Sequence, residues 1–376
     1  MNRFKKIAIL DKIVLLEKHW QKLNELTESL IEFSGLNPTE ILQKLHAEMD
    51  AEPQPMCWTA LAQEEISVKE LNKRIKGADA IITCWTAIPD EVIRANPQIK
   101  YIGFWTNLAG HRINFNLAKE KNIFVTIIPD YGTESVAELT IAGILAVSRK
   151  LIKTHNNTLR GEWPYELIKT GQYIPKVDEI PQRILNEKTI GIVGLGRIGK
   201  RVAEIALAFR MKVKYWSKNK HPKWEEKGLS YASLEELFEE SDIVSIHLSP
   251  YAPPQIINKF LIGKMRDDSI FVNTSAGHLI DQEYLFVELQ KKRIHAFLDV
   301  YKGLPPRKIL KEMCANGNVF TYRSGWYTRE AITYKGDYLL NNIQKYLTGV
   351  PQLAAWDLPK QDEDVIEKPC TGNNRK

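Results

Sequence analysis

Cysteine is scarce in this chain, with four in 376 residues, at Cys57, Cys84, Cys314 and Cys370. Their wide spacing includes no CxxC pair. That excludes a disulfide framework and a thiolate metal site, so no metal is expected and reduced thiols in a cytoplasm are. Long apolar runs are also missing. The first, Ile7-Ala8-Ile9-Leu10, is stopped by Asp11. It is too short for a signal-peptide core, and nothing approaches the length of a membrane span. No arginine-rich arm or aromatic-interleaved basic stripe is present, which argues against nucleic acid as a partner. The net charge of +6 then reads as solubility plus affinity for anions. Internal repeats and low-complexity blocks are absent too.

What is present is an ordinary globular composition, 44% hydrophobic and 26% charged, in a chain long enough for two domains. Short apolar strands alternate with helical patterns, the signature of a parallel α/β sheet. Strands are expected at 7–10, 80–84, 101–105 and 123–126, with helices at 68–75 and 114–121 between them. A long apolar helix is expected from Thr133 to about Lys153, followed by a looped connection over 156–188. A second set of strands is expected at 243–246, 270–273 and 296–300. An amphipathic helix at 327–347 and a loose polar tail beyond Pro359 close the chain.

Thr189-Ile190-Gly191-Ile192-Val193-Gly194-Leu195-Gly196-Arg197-Ile198-Gly199 reads as a buried strand, a glycine turn and a helix start. Such a unit grips a pyrophosphate. Gly194 permits the tight turn, Gly196 admits the phosphates, and Gly199 lets helix and strand pack closely. Backbone N–H groups at Arg197 and Ile198 then face the negative charge. A lone GxGxxG is a weak signal. Here an apolar β-branched run precedes it and 200–208 follows with helical spacing. Because this motif lies in mid-chain, the dinucleotide domain, taken as 151–325, is expected to be inserted into a first domain formed by 1–150 and 326–376.

The next strand, 211–216, ends in Ser217-Lys218-Asn219-Lys220 instead of the acid that holds an NAD ribose. A carboxylate there would repel a 2′-phosphate. A hydroxyl flanked by Lys218 and Lys220 would attract it, so NADP(H) is expected over NAD(H). A solvated basic loop would read the same way.

These blocks together resemble the D-isomer-specific 2-hydroxyacid dehydrogenases over about 78–348. The resemblance is carried by 90–106, by Pro129-Asp130-Tyr131-Gly132-Thr133-Glu134-Ser135-Val136-Ala137-Glu138 and by Arg160-Gly161-Glu162-Trp163. It continues through 233–237, 241–247, Val272-Asn273-Thr274-Ser275 and Leu298-Asp299-Val300-Tyr301. It implies two Rossmann-like parallel-sheet α/β domains with a cleft between them, the first flavodoxin-like, usually assembled as a homodimer on NAD or NADP. Tyr215-Trp216-Ser217-Lys218 resembles the NADP-preferring reductases of the family. By the same resemblance Thr133, Thr274 and Asp299 line the nicotinamide pocket, with Asp299 matching the acid that holds the carboxamide. The substrate loop corresponds to Leu108, Ala109, His111 and Arg112, where Ala109-Gly110-His111-Arg112-Ile113-Asn114 departs from the family's G-x-D-N-I-D.

The family's reaction uses an arginine clamp, a histidine acid and a glutamate that pairs with the histidine. Their matching positions hold Ala276, Leu304 and Arg323. Loss of a general acid alone removes roughly 10² to 10⁴ in rate. An arginine cannot replace it, because its guanidinium stays charged. Arg323 could instead pair with a substrate anion, while Tyr322, Tyr327 or His278 could donate a proton. Packed tyrosines and a loop histidine would also account for those three. The expectation is an NADPH-dependent reductase acting on a small-molecule substrate outside the usual set. The alternatives are a catalytically silent NADP(H)-binding scaffold or sensor, and an ordinary 2-oxo acid reductase.

Overall fold

The computed structural model describes residues 2–11, 13–32, 66–107, 109–162, 165–167, 170–175, 182–303 and 305–358. Leu108, Leu304, Trp163, Cys57, Cys370 and the tail beyond Pro359 lie outside the described residues. Two compact units are present. One holds the described residues up to Tyr131 together with those from Tyr327 onward, and the other holds Gly132–Trp326.

The first unit runs β1 (Ile7–Ile9), α1 (Glu17–Glu25), β2 (Leu30–Glu32), α2 (Val68–Arg74), β3 (Ala80–Thr83), α3 (Asp90–Ala95), β4 (Tyr101–Phe104), α4 (Phe115–Glu120) and β5 (Phe124–Thr126). Its strands are parallel, in the order β2-β1-β3-β4-β5, the doubly wound order of a flavodoxin-like sheet. Ile7, Ile9, Ile81, Ile102 and Phe104 are fully enclosed, as strands covered on both faces must be.

The second unit opens with α5 (Thr133–Ser148) and α6 (Leu151–Leu159), then a short antiparallel pair, β6 (Tyr165–Leu167) and β7 (Tyr173–Pro175). The nucleotide motif follows as β8 (Thr189–Val193) and α7 (Arg197–Ala208). Next come β9 (Lys212–Trp216), α8 (Pro222–Glu225), β10 (Leu229–Tyr231), α9 (Leu234–Glu240) and β11 (Ile243–Ile246). The unit ends with α10 (Lys259–Lys264), β12 (Ile270–Asn273), α11 (Gln282–Gln290), β13 (His295–Leu298), α12 (Arg307–Ala315) and β14 (Val319–Phe320). All seven strands of its main sheet are parallel, in the order β10-β9-β8-β11-β12-β13-β14. Winding reverses between β8 and β11, the switch point at which such sheets take ligands. Finally α13 (Arg329–Thr348) returns to the first unit.

Three expectations need correction. The long helix does not run to Lys153. Lys150 adopts φ +47°, a left-handed conformation that ends α5 and starts α6 as a separate helix. The segment 156–188 is not all loop, since α6 continues to Leu159 and the β6–β7 pair follows. The division between units falls at Tyr131/Gly132 rather than at 150, and at Trp326/Tyr327. Packing explains that shift, because α5 lies on α7, β12 and β13. Among the described residues no helix is long and apolar enough to cross a membrane.

Gly143 shows how tightly α5 is seated. A Cβ there would meet the ring of Phe297, itself 1% exposed, at 2.1 Å. Gly143→Ala should therefore cost about 1–3 kcal/mol by overpacking. A lowered urea midpoint with unchanged slope is the expected result, and an unaltered midpoint would contradict the packing.

Candidate functional site

The carboxyl ends of the second unit's strands carry most of the candidates. At β8 the turn is built by exclusion. Gly194, at φ +99°, would push a Cβ to 2.7 Å from the His247 carbonyl oxygen. A Cβ on Gly199 would lie 2.1 Å from the carbonyl oxygen of Gly194. Around Gly196, the N-cap of α7, nothing comes within 4 Å of the Cβ position. The turn is thus closed on two sides and open on the third, at Gly196, where α7 begins with Arg197 and Ile198. That fits a diphosphate.

Strand β9 lies beside β8, with Val193 opposite Trp216, so its end comes up next to the glycine turn. Here the structure changes one role. Ser217 is fully buried and donates its hydroxyl to the Asn219 carbonyl at 2.5 Å. It shapes the turn that presents Lys218 and Lys220, both exposed, instead of offering that proton to a ligand. The Lys220 ammonium lies 4.9 Å from the centre of the Tyr231 ring. His247, directly after β11, is half-buried and bonded to the Ser245 hydroxyl at 2.8 Å. Burial pushes its pKa down to about 3, so it stays neutral and structural.

Further along the same edge, Asn273 shapes the turn after β12. Its amide donates to the Ala276 carbonyl at 3.2 Å, and its oxygen accepts from the Ser275 N–H at 3.1 Å. Thr274 contacts Thr140 of α5 at 3.2 Å between hydroxyls. Thr133 opens α5. At the end of β13 the buried Asp299 carboxylate accepts from the Thr321 hydroxyl (2.6 Å), the Ser324 N–H (2.8 Å) and the Gly325 N–H (3.0 Å). Its own carbonyl accepts the Arg323 N–H at 2.8 Å. Arg323 sits at φ +46° on the turn so formed. Thr274, Asp299 and Arg323 therefore share one edge with the glycine turn.

The remaining candidates are placed differently. His278 lies in a short 3-10 turn and bonds the Pro250 carbonyl through Nε2 at 2.9 Å. Tyr322 stacks on Tyr301, with ring centres 6.3 Å apart and planes 4° off parallel. Tyr327, 57% exposed, begins the first unit's returning segment.

In the first unit the expected loop residues Ala109, His111 and Arg112 are joined by residues that the sequence pattern did not announce, Asp11, Trp85 and Lys335. The group lies at the carboxyl ends of β1, β3 and β4, around the sheet's own switch point. Asp11 follows β1, and its Oδ2 accepts from the Thr83 hydroxyl (2.5 Å) and from the N–H groups of Cys84 (2.6 Å), Trp85 (2.8 Å) and Thr86 (3.1 Å). Its Oδ1 accepts the Thr86 hydroxyl. That clasp fixes Trp85. Trp85 in turn fixes Arg112, whose Nε donates to the Trp85 carbonyl at 3.1 Å and whose guanidinium lies 5.1 Å from the ring centre. Ala109 is buried and closes the turn to Arg112, while His111 is exposed.

Behind them Lys335 of α13 is 1% exposed, with its ammonium 3.3 Å from the centre of the Trp105 ring and 3.7 Å from that of Tyr131. Burial pushes the Lys335 pKa down to about 7, although two ring faces favour the cation. Burial likewise pushes the Cys84 thiol up to about 12, which keeps it inert. Asp11 and the Trp105-Thr106 pair end expected strands, so position alone could have flagged them. Lys335 sits within an amphipathic helix and gives no such signal.

Comparison with known proteins agrees with this geometry. Residues 141–321 match the model of the D-isomer-specific 2-hydroxyacid dehydrogenase NAD-binding domain. The chain is 31% identical over 291 residues to a hydroxypyruvate reductase of Blautia hydrogenotrophica, covering 76% of this chain and 87% of that one. Among solved structures it is similar to an acyclic imino acid reductase in complex with NADPH and D-Arg. There the identity is 28% and the TM-score 0.67, over 92% of this chain and 98% of that one. It shares its fold with a D-lactate dehydrogenase from Aquifex aeolicus complexed with NAD and lactic acid, at 24% identity and TM-score 0.66, covering 92% and 96%.

The buried lysine makes a pH prediction. Unfolded, Lys335 keeps its proton up to the ordinary 10.5, whereas folded it releases it near 7. Between those values the folded chain binds fewer protons, so this residue's contribution to stability falls as pH drops from 10.5 toward 7. Lys335→Met should unfold at a higher temperature than the native chain at pH 7, and the gap should narrow toward pH 10. A constant gap across that range would show that Lys335 is not depressed.

Proposed function

This chain belongs to the D-isomer-specific 2-hydroxyacid dehydrogenase family, and from that premise we propose that it is an NADPH-dependent reductase acting on a non-standard anionic carbonyl or imine substrate. The observation that carries the cofactor half is the edge formed by β8 and β9. The turn is open only at Gly196, and the adjoining strand ends in two exposed lysines with no carboxylate. Backbone N–H groups of 197 and 198 hold the diphosphate, and Lys218 and Lys220 hold the 2′-phosphate. Support also comes from the imino acid reductase, which was solved with NADPH.

Bound NADPH supplies the hydride. The chain's own part is to orient the acceptor and meet the charge that develops on it. Arg323, in the family histidine's place, pairs with an anionic group of the substrate but cannot give up a proton. Within the first unit, Arg112 is held by Trp85 and is a candidate anion contact of that unit's own loop. Tyr327 is the candidate proton donor with an exposed ring. Tyr322 is stacked, and His278 is committed to the Pro250 carbonyl. Ala276 and Arg323 in the family's catalytic positions also favour a second reading, a catalytically silent NADP(H) sensor. We propose that the protein works in the cytoplasm as a homodimer; the exposed apolar residues Leu151, Ile152 and Leu159 of α6 support the dimer.

Fluorescence titration with NADPH and NADH tests the cofactor half. The native chain should prefer NADPH. Lys218→Glu with Lys220→Glu should weaken NADPH more than about tenfold while leaving NADH within a few-fold. Equal losses for both nucleotides would remove the 2′-phosphate assignment. Turnover with a panel of 2-oxo acids, with and without ammonia or methylamine, separates the two readings. NADPH binding without turnover of any member favours the sensor. For the assembly, Leu159→Asp should shift sedimentation from dimer to monomer, and a dimer that survives would place the interface elsewhere.

A further inference from the structure

The Asp299 carboxylate does more than its family match implies. Three of its contacts reach into one five-residue stretch, Thr321–Gly325, and a fourth, from its backbone carbonyl, takes the N–H of Arg323 itself. The stretch contains the left-handed Arg323. A bulky side chain in that conformation is disfavoured and persists only where its surroundings over-determine it. Here the surroundings are one buried anion. Oδ1 takes Thr321 and Ser324, one on each side of Arg323, and Oδ2 takes Gly325.

We propose that Asp299 is the positioning residue of the Arg323 turn, holding the guanidinium in the one backbone conformation that presents it to a substrate carboxylate. The inference rests on the reading of Arg323 as the anion-binding group. It adds that this group is aimed by a carboxylate at the end of β13 rather than by its own side-chain contacts. The carboxylate also explains why a strained turn persists at a strand end. Charge-assisted acceptance of two backbone N–H groups and one hydroxyl, out of water, is stronger than the neutral bonds an ordinary turn makes. It further links the two halves of the site. The acid whose family role is to hold the nicotinamide carboxamide is, in this chain, the same group that fixes the substrate cation. Cofactor and substrate anion should therefore sense one another through it.

The test is a double-mutant cycle on the full-length chain saturated with NADPH. The probe is oxalate, a planar dianion shaped like a 2-oxo acid, and binding is followed by nucleotide fluorescence. Asp299→Asn keeps the size but removes the charge, and it turns an amide donor toward one of the three protein donors. Arg323→Ala removes the cation. Each alone should weaken oxalate more than about tenfold. Together they should weaken it no more than the Arg323→Ala change does, because one acts through the other. Additive losses would overturn the proposal. Thr321→Val removes a single donor while leaving the carboxylate intact, so it serves if the Asn variant folds poorly. It should give a smaller loss in the same direction, also absorbed by Arg323→Ala.

Hydrogen exchange separates this idea from the reading beneath it. The Ser324 and Gly325 amides should exchange at least about tenfold faster in Asp299→Asn than in the native chain. If the native chain binds no oxalate but those amides respond, the anion-binding reading of Arg323 fails while the clasp stands. If those amides do not respond, the clasp itself is refuted.

Discussion

At Gly194 the backbone of β8 turns against the carbonyl of His247, and the nucleotide side of the second unit is organised around that approach. No side chain fits there, because a Cβ would sit 2.7 Å from the His247 oxygen. The contact sets where β8 stops, and Gly199 then lets α7 fold back onto the turn. The start of α7 then lies beside the open space at Gly196, at the reversal of the sheet. Strand β9, in register beside β8, delivers Lys218 and Lys220 to the same place. If this one approach were relaxed, the helix terminus would lose its aim.

A second physical theme recurs in both units. A carboxylate that follows a parallel strand gathers backbone N–H groups and hydroxyls from a neighbouring turn. Asp11 does this for residues 83–86, and Asp299 does it for residues 321–325. Each clasp holds one cationic side chain at one remove, Arg112 through Trp85 and Arg323 through its own turn. Loops at strand ends are ordinarily the adaptable parts of α/β domains. Here charge-assisted bonds to carboxylates, Asp299 buried and Asp11 half-buried, tie these two down, which suits groups that must meet a charged ligand in a fixed geometry.

The buried lysine follows a different logic. Lys335 is enclosed by two aromatic faces and loses more from desolvation than the rings return, so its proton is held loosely near neutrality. It stands behind the Asp11 clasp, at the carboxyl edge of the first unit's sheet.

Much of this was legible in the chain itself. Alternating apolar strands and helices are local patterns of period two and 3.6, and they mark a parallel α/β protein without further information. The spacing of Gly194, Gly196 and Gly199 is local too, because the turn, the phosphate approach and the helix packing all occur within eleven residues. The missing acid at the end of β9 and the residues in the catalytic places, Ala276 and Arg323, could likewise be read directly. What only tertiary structure decided is burial and, for the most part, pairing between residues far apart in sequence. Ser217 became a buried turn former once its hydroxyl met Asn219. The helix beginning at Thr133 joined the second unit because Gly143 admits Phe297, over 150 positions away. Asp299 acquired its four contacts, and Lys335 its aromatic cage, only when distant strands and helices came together. Local propensity is written in neighbouring residues, whereas burial and charge pairing are properties of space, and this protein's candidate site is built mostly from the latter.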